Sequence, residues 1–521
     1  MKRRIIVFFA TLVLFALFLS PAAVAGQKEP RLDPQDFSAF INKTLVDWKV
    51  PGVGVAVVKD GKVILAEGYG FRDIQNKLAV TPRTIFAIGS SSKAFTATAV
   101  GILVDEGKLG WDKRVRDYLP TFQLQDEFAT AQMTPRDLLC HRSGLPRHDL
   151  AWLGSTLSRK ELFDRLRYLE PRADNRTIFQ YNNFMFLTAG YLAGEVTGST
   201  WEAVVRTRIF EPLGMRDSNF SVEDSKKKPD HALPYGEKDD KVVEIPFRNI
   251  DAIGPAGSIN SNVLDMAQWV LLNLNKGKAG DKQVISVASL SEIHSPQMVI
   301  QESVFRILER YPEMTTTTYG LGWFLTSYRG HPWIHHGGSI DGFRALVAFL
   351  PRDNVGVVVL CNKNGTDFPE IVTMNVFDRL LGLDHIPWSA RYMEIRDKRK
   401  AEAEKRTAMP DKDRKTGARP SHPLEDYVGD YVHPAYGTLT VLKDGDGLRA
   451  TRGDMTFAVS HYHYDVFELT SKETGMKLKA SFTLDLKGNV ASVSVPFAPG
   501  VKDIVFTPAP KKAAGGKAPT T

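Results

Sequence analysis

The sequence predicts an α+β chain: an antiparallel sheet with a helical layer, followed by a small all-β barrel. Three observations carry this reading. Strand-like runs occur early, at GVGVAVVKDGKVILAEGYGFRD after Pro51, and return late, from Tyr319 to about Asn362. Helical patterns fill most of the interval from Met133 to Asn275, so a sheet is completed by both ends of one domain with helices beside it. From Leu424 to Pro508 the pattern changes to short strands broken by turns, the signature of a small barrel or sandwich.

The elements follow in order. Lys2, Arg3 and Arg4 precede an apolar run, Ile5 to Leu19, and a small-residue site, Ala23-Val24-Ala25. That order predicts an export signal over residues 1–25, cleaved rather than kept as an anchor, and a periplasmic or secreted chain with no stable membrane insertion after cleavage. Asp60-Gly61 between two alternating runs predicts a β-hairpin. FTATAVGILVDEGKL predicts a helix stopping near Gly107. Ser199-Thr200-Trp201-Glu202 reads as a capping box before WEAVVRTRIF, and Asn262 to Asp265 as the cap of DMAQWVLLNL. GLGWFLTSY, FRALVAFLP and GVVVLCN are the late strands, and Trp388 to Lys405 is helix-prone. The resulting organisation is a first domain over 30–395, a charged linker over 396–422, the barrel over 423–509 and a tail over 510–521 without core-forming residues.

Composition narrows the function. The net charge is +7, but the N-terminus, the stretch Arg396–Arg419 and the tail carry surpluses of three, five and three, leaving −4 for the remainder. A basic face for nucleic acid is therefore not expected. The two cysteines, Cys140 and Cys361, form no disulfide framework and read as separate buried thiols.

The stretch FAIGSSSKAFTA places three serines before one lysine. On a helix, residues three apart share a face, so Lys93 reaches Ser90 and not Ser91 or Ser92. A serine hydroxyl is a poor nucleophile until a base takes its proton, and a lysine serves if burial or nearby positive charge lowers its pKa. Alone, S-x-x-K is a common tetrapeptide whose plain reading is a helix cap before a solvated lysine. Two further stretches bear on it. FQYNNF presents Tyr181 and Asn183 as Y-x-N, and WIHHGGSIDGF presents His336, Gly337 and Gly338. Adjacent glycines weaken a strand unless something approaches its backbone closely, as a substrate carbonyl would. His335 and His336 do not form a metal pair, because strand neighbours point to opposite faces.

In this order and separation the three motifs resemble the serine β-lactamase and penicillin-binding-protein superfamily, and most closely its class C β-lactamase-like branch. MTPRDLLCHRSGLP, EPLGMRDS and GPAGSINSNVLDMAQW agree, and the resemblance covers roughly residues 35–385. It implies a β-lactamase/transpeptidase-like first domain and an acyl-enzyme on Ser90. Lys93 would accept or steer the proton, and Tyr181 would serve as general base. Asn183 would orient a substrate amide, and His336 would hold the first place of the family's K-T-G triplet beside Gly338. The amides of Ser90 and Ser339 would form the oxyanion hole. No metal or cofactor is implied. His336-Gly337-Gly338 lacks the fixed charge and the hydroxyl of K-T-G, which argues against dedicated β-lactam hydrolysis. The C-terminal stretch resembles the lipocalin-like domain of some β-lactamase-like serine peptidases. Within it, His461-x-His463-x-Asp465 alternates as three metal ligands on one strand face would, although such residues more often bond locally. The expectation is thus an exported serine hydrolase acting on a peptide or small-molecule substrate, first a peptidase. An esterase, a D,D-carboxypeptidase or weak β-lactamase, and a non-catalytic cell-wall binder are the alternatives, and the oligomeric state is left open.

Overall fold

The computed structural model describes residues 32–301, 311–408, 411–473 and 475–510. The expected export segment and all but the first residue of the expected tail lie outside them. Among the described residues no helix is long and apolar enough to cross a membrane.

Val53, Val55 and Val57 alternate with Gly54, Ala56 and Val58, and all six are buried, so this strand must be covered on both faces. It lies inside a nine-stranded antiparallel sheet. Gly52–Lys59 forms the expected hairpin with Lys62–Asp73 through Asp60 and Gly61, both at positive φ. Its other edge pairs with Val355–Cys361, with Val53 opposite Cys361. Phe343–Leu350, His331–Ile340, Phe324–Tyr328 and Met314–Tyr319 follow outward.

Helices cover both faces, not one. Val53, Val55 and Val57 pack with Phe37, Ile41, Phe368, Phe377 and Trp388 from the helices Pro34–Asp47, Phe368–Leu381 and Trp388–Ala408. Ala56, Val58 and Val358 face the larger helical layer. At its centre stand Ser92–Asp105 and Asn183–Glu195, apolar almost all round and buried accordingly. The helix Trp388–Ala408 runs across the expected boundary at 395, since Trp388 and Tyr392 remain anchored in the first domain's core. The cap at Trp201 is shifted by one residue: Thr200, not Ser199, accepts from the Ala203 amide, and Glu202 turns instead to Arg159.

Gly429 to Pro508 closes into an eight-stranded barrel. At this strand number side chains fill the interior, and here Tyr427, Tyr431, Phe467 and Phe482 stack edge to face. The strand Met455–His463 was not anticipated. The register slips between His461 and His463, and Tyr464 turns at positive φ, which breaks the expected alternation. His461 bonds the Tyr464 carbonyl, His463 accepts from the Lys415 amide, and Asp465 accepts from Ser421 and Tyr427. These three side chains therefore do not converge, and no metal-ligand cluster occurs among the described residues.

The barrel seats on the first domain at two glycines. A Cβ on Gly453 would lie 1.7 Å from the Gly154 carbonyl oxygen, so the two backbones touch directly. The Asp454 amide donates to that carbonyl, and buried Arg452 donates to the carbonyls of Leu153 and Tyr436.

Candidate active site

The backbone turns sharply at Gly89, φ 50°, from the short strand Phe86–Ala87 into a 3₁₀ turn, Gly89–Ser91, before the helix Ser92–Asp105 begins. At three residues per turn, positions three apart are eclipsed, so Ser90 and Lys93 align better than on an ideal α-helix. Lys93 Nζ lies 3.1 Å from Ser90 Oγ.

Lys93 is wholly buried. Its nitrogen also lies 2.8 Å from the Ala256 carbonyl and 2.8 Å from Asn183 Oδ1. Both of these oxygens only accept, so they take two N–H bonds. Burial holds the amine well below its usual range, with the Arg147 charge pushing the same way and Asp149 opposing. A neutral amine has two N–H groups and one lone pair. With both N–H groups engaged, the lone pair is left for the Ser90 hydroxyl.

Asn183 is fixed by the same logic. Its Nδ2 donates to Asp149 Oδ1 at 2.9 Å, which leaves Oδ1 for Lys93. Both ends of the amide are thus engaged inside the protein. In this structure Asn183 orients the lysine, and one acceptor site on Oδ1 and one N–H on Nδ2 are left beyond these two bonds. Tyr181 sits at the cavity wall, with its ring 4.8 Å from Lys93 Nζ and the Arg147 guanidinium 4.9 Å away. Burial pushes its phenol up to about 12, against a hydrogen bond with Ser90 and the Arg147 charge. A phenol held protonated beside a lowered amine places two proton-carrying groups around Ser90.

Ser91 and Ser92 are buried staples. Ser91 Oγ donates to the His336 carbonyl at 3.0 Å; Ser92 Oγ donates to Gly89 O and accepts from the Ile259 amide. The first of these ties the nucleophile turn to the strand His331–Ile340. A Cβ on Gly338 would fall 1.8 Å from Ile88 O, and one on Gly89 would fall 2.9 Å from the Ser339 amide nitrogen. Gly338 is therefore required by the turn behind it more than by a substrate in front. The amides of Ser90 and Ser339 lie on the two segments so joined.

His336 lines the cavity but is 1% exposed. Nδ1 lies 2.7 Å from the Gly337 carbonyl, which can only accept, so Nδ1 carries the proton. Nε2 then accepts from the Tyr319 hydroxyl at 3.0 Å. Burial, above all, keeps the imidazole well below its usual pKa. The position thus presents a neutral ring.

The strand His331–Ile340 pairs with Phe324–Tyr328 only as far as His335. Beyond it, residues 336–340 have no strand partner on that edge among the described residues. The edge opens into a cavity of about 730 Å³ that runs from Ser90, Tyr181 and Ser339 to Arg344, which is bonded to Glu370, and to Trp333. Sequence reasoning missed Arg147, Asp149 and Tyr319. The charged triplet Arg147-His148-Asp149, directly after the stretch MTPRDLLCHRSGLP and its neighbouring prolines, was the signal available. Neither cysteine belongs to the site: both are free, buried and pushed up to about 12 by desolvation.

With this geometry in place, comparison with known proteins gives three results. The family described as Beta-lactamase matches residues 37–379, and the Domain of unknown function (DUF3471) matches residues 413–508. An unguisins hydrolase of Aspergillus campestris (strain IBT 28561) is 31% identical over 495 residues, 90% of this chain and 90% of that protein. Protein flp of Staphylococcus aureus (strain MRSA252) is 27% identical over 65% of this chain and 64% of its own. Among solved structures, the octameric penicillin-binding protein homologue from Pyrococcus abyssi superposes with a TM-score of 0.61 at 23% identity, covering 91% of this chain and all of that one. The D-amino acid amidase from Ochrobactrum anthropi SV3 superposes with a TM-score of 0.54 at 22% identity over 66% of this chain and 97% of its own. At these identities the two superpositions speak to the fold.

Proposed function

This chain belongs to the beta-lactamase family of serine hydrolases, and from that premise we propose that it cleaves amide bonds in peptides through an acyl-enzyme on Ser90. The observation that carries the proposal is the buried Lys93 Nζ, held 3.1 Å from Ser90 Oγ by the Ala256 carbonyl and Asn183 Oδ1; in its neutral form these two take its N–H groups and its lone pair faces Ser90. In the proposed reaction Ser90 Oγ attacks the carbonyl carbon and its proton passes to Lys93. The oxyanion forms beside the amides of Ser90 and Ser339. The proton returns through the Tyr181 hydroxyl to the leaving nitrogen, the C–N bond breaks, and water later releases the acyl group.

A peptide is favoured over a small ester by the unpaired edge of residues 336–340, which offers main-chain hydrogen bonds to an extended substrate. The neutral His336 argues against a dedicated β-lactamase, because it offers no charge to a substrate carboxylate. The relative named unguisins hydrolase, 31% identical over 90% of both chains, supports the hydrolase part of the reading. A fluorophosphonate probe tests it: wild type should label and Ser90→Ala should not. Equal labelling, or none, overturns the assignment of Ser90. A panel of D- and L-amino-acid p-nitroanilides, short peptides, p-nitrophenyl esters and nitrocefin then ranks substrates, and preference for the esters overturns the peptide reading. Export belongs to the same proposal, and N-terminal sequencing of the mature chain should begin at Gly26.

A further inference from the structure

A buried side chain, His148, joins the barrel to the catalytic cluster. Its Nε2 lies 2.9 Å from the Glu170 carbonyl, which can only accept, so Nε2 carries the proton. Nδ1 is left to accept from the hydroxyl of Tyr436, a barrel residue, at 2.7 Å. His148 is fully enclosed, and its backbone is left-handed, φ 45°. A non-glycine residue holds that conformation only when its surroundings enforce it.

Both chain neighbours of His148 touch the reacting groups. Arg147 stands over the Tyr181 ring and bonds Asp149 at 2.6 Å. Asp149 accepts from Asn183, and Asn183 in turn holds Lys93. The barrel also forms part of the cavity wall. Pro499 lines it, and the next residue, Gly500, packs so tightly on Arg172 that a Cβ would lie 2.7 Å from its Cδ.

The geometry points to Tyr436 and His148 as a positioning pair, through which the barrel holds Arg147 and Asp149 in register with Tyr181, Asn183 and Lys93. The barrel is then a working part of the active site rather than an appended module. The inference rests on the proposed role of Ser90. The charged and titratable groups facing Lys93 are Arg147 and Asp149 from this loop, His141 from the preceding loop, Tyr181, and His336 from the strand. Those facing His148 are Asp149 and Glu170 from its own side and Tyr436 and His433 from the barrel.

The test follows the rate of fluorophosphonate labelling against pH in the full chain, for wild type, Tyr436→Phe, His148→Asn and the double variant. Asparagine tolerates the left-handed backbone, which protects the fold. Each single variant should label about tenfold more slowly per folded site. Withdrawing Arg147 and loosening the enclosure of Lys93 both favour its ammonium form and outweigh the smaller, opposite effect of losing Asp149. The acid limb should therefore move up by about half a unit or more. The double variant should be no slower than the slower single one, because both act through one bond. A unit-for-unit loss of folded protein with an unmoved pH profile, or additive losses, overturns the inference. Failure of wild type itself to label overturns the Ser90 reading instead.

Discussion

An enclosed lysine that must stay neutral ties the reaction to pH. The folded protein holds Lys93 below its usual range, so activity is present above that lowered pKa and is lost as pH falls through it. The acid limb of acylation should lie well below 10.5, and the alkaline limb near the Tyr181 value of about 12. A pH series of labelling rates checks both. Lys93→Ala should slow acylation by about 10²–10⁴-fold. Lys93→Arg should not rescue it, since a guanidinium never gives up its proton here. Cys140 and Cys361 should react with a thiol reagent only on unfolding, as followed by absorbance with and without denaturant. At this scale the pairing of Ser90 with Lys93 was legible, because it is local in sequence. The work of Asn183 was not: its two partners, Lys93 and Asp149, lie 90 and 34 residues away, and no spacing rule reaches that far.

Between elements, the joint that matters is the nucleophile turn against the strand His331–Ile340. Gly338 and Gly337 make a matched experiment. A methyl group on Gly338 meets backbone at 1.8 Å, while one on Gly337 first meets the Arg344 guanidinium at 3.1 Å, which can swing aside. Gly338→Ala should therefore lower stability by about 1–3 kcal/mol and acylation by about 100-fold, whereas Gly337→Ala should cost far less of both. Thermal melts and labelling rates measure the two effects. The hairpin at Asp60-Gly61 and the Val53–Val58 alternation were readable because turn chemistry and period 2 are local signals. The strand Met455–His463 escaped because its register slips at the histidines. The helix from Trp388 was legible almost to its end, but the domain boundary drawn inside it at 395 rested on charge, which does not reveal that Trp388 and Tyr392 belong to the first domain's core.

The whole molecule holds one apolar cluster that passes from the helical layer into the barrel, with Leu162 and Phe163 on one side and Tyr436 and Phe497 on the other. We expect the barrel and first domain to unfold together, as a single calorimetric transition that coincides with loss of near-ultraviolet dichroism; two resolved transitions would count against it. The sequence showed that a barrel follows. It did not show where the barrel sits, because the contact is made by the backbones of Gly154 and Gly453 and by single side chains, none of them periodic.

The unpaired edge of residues 336–340 has a consequence for which chains can reach the serine. An open strand edge is ordinarily an invitation to any neighbouring chain. Here it is sunk in a cavity of about 730 Å³, room for a short extended segment and for little else. For a peptidase of the proposed kind, the expected preference is then for short extended segments over folded chains, whose strands are already paired.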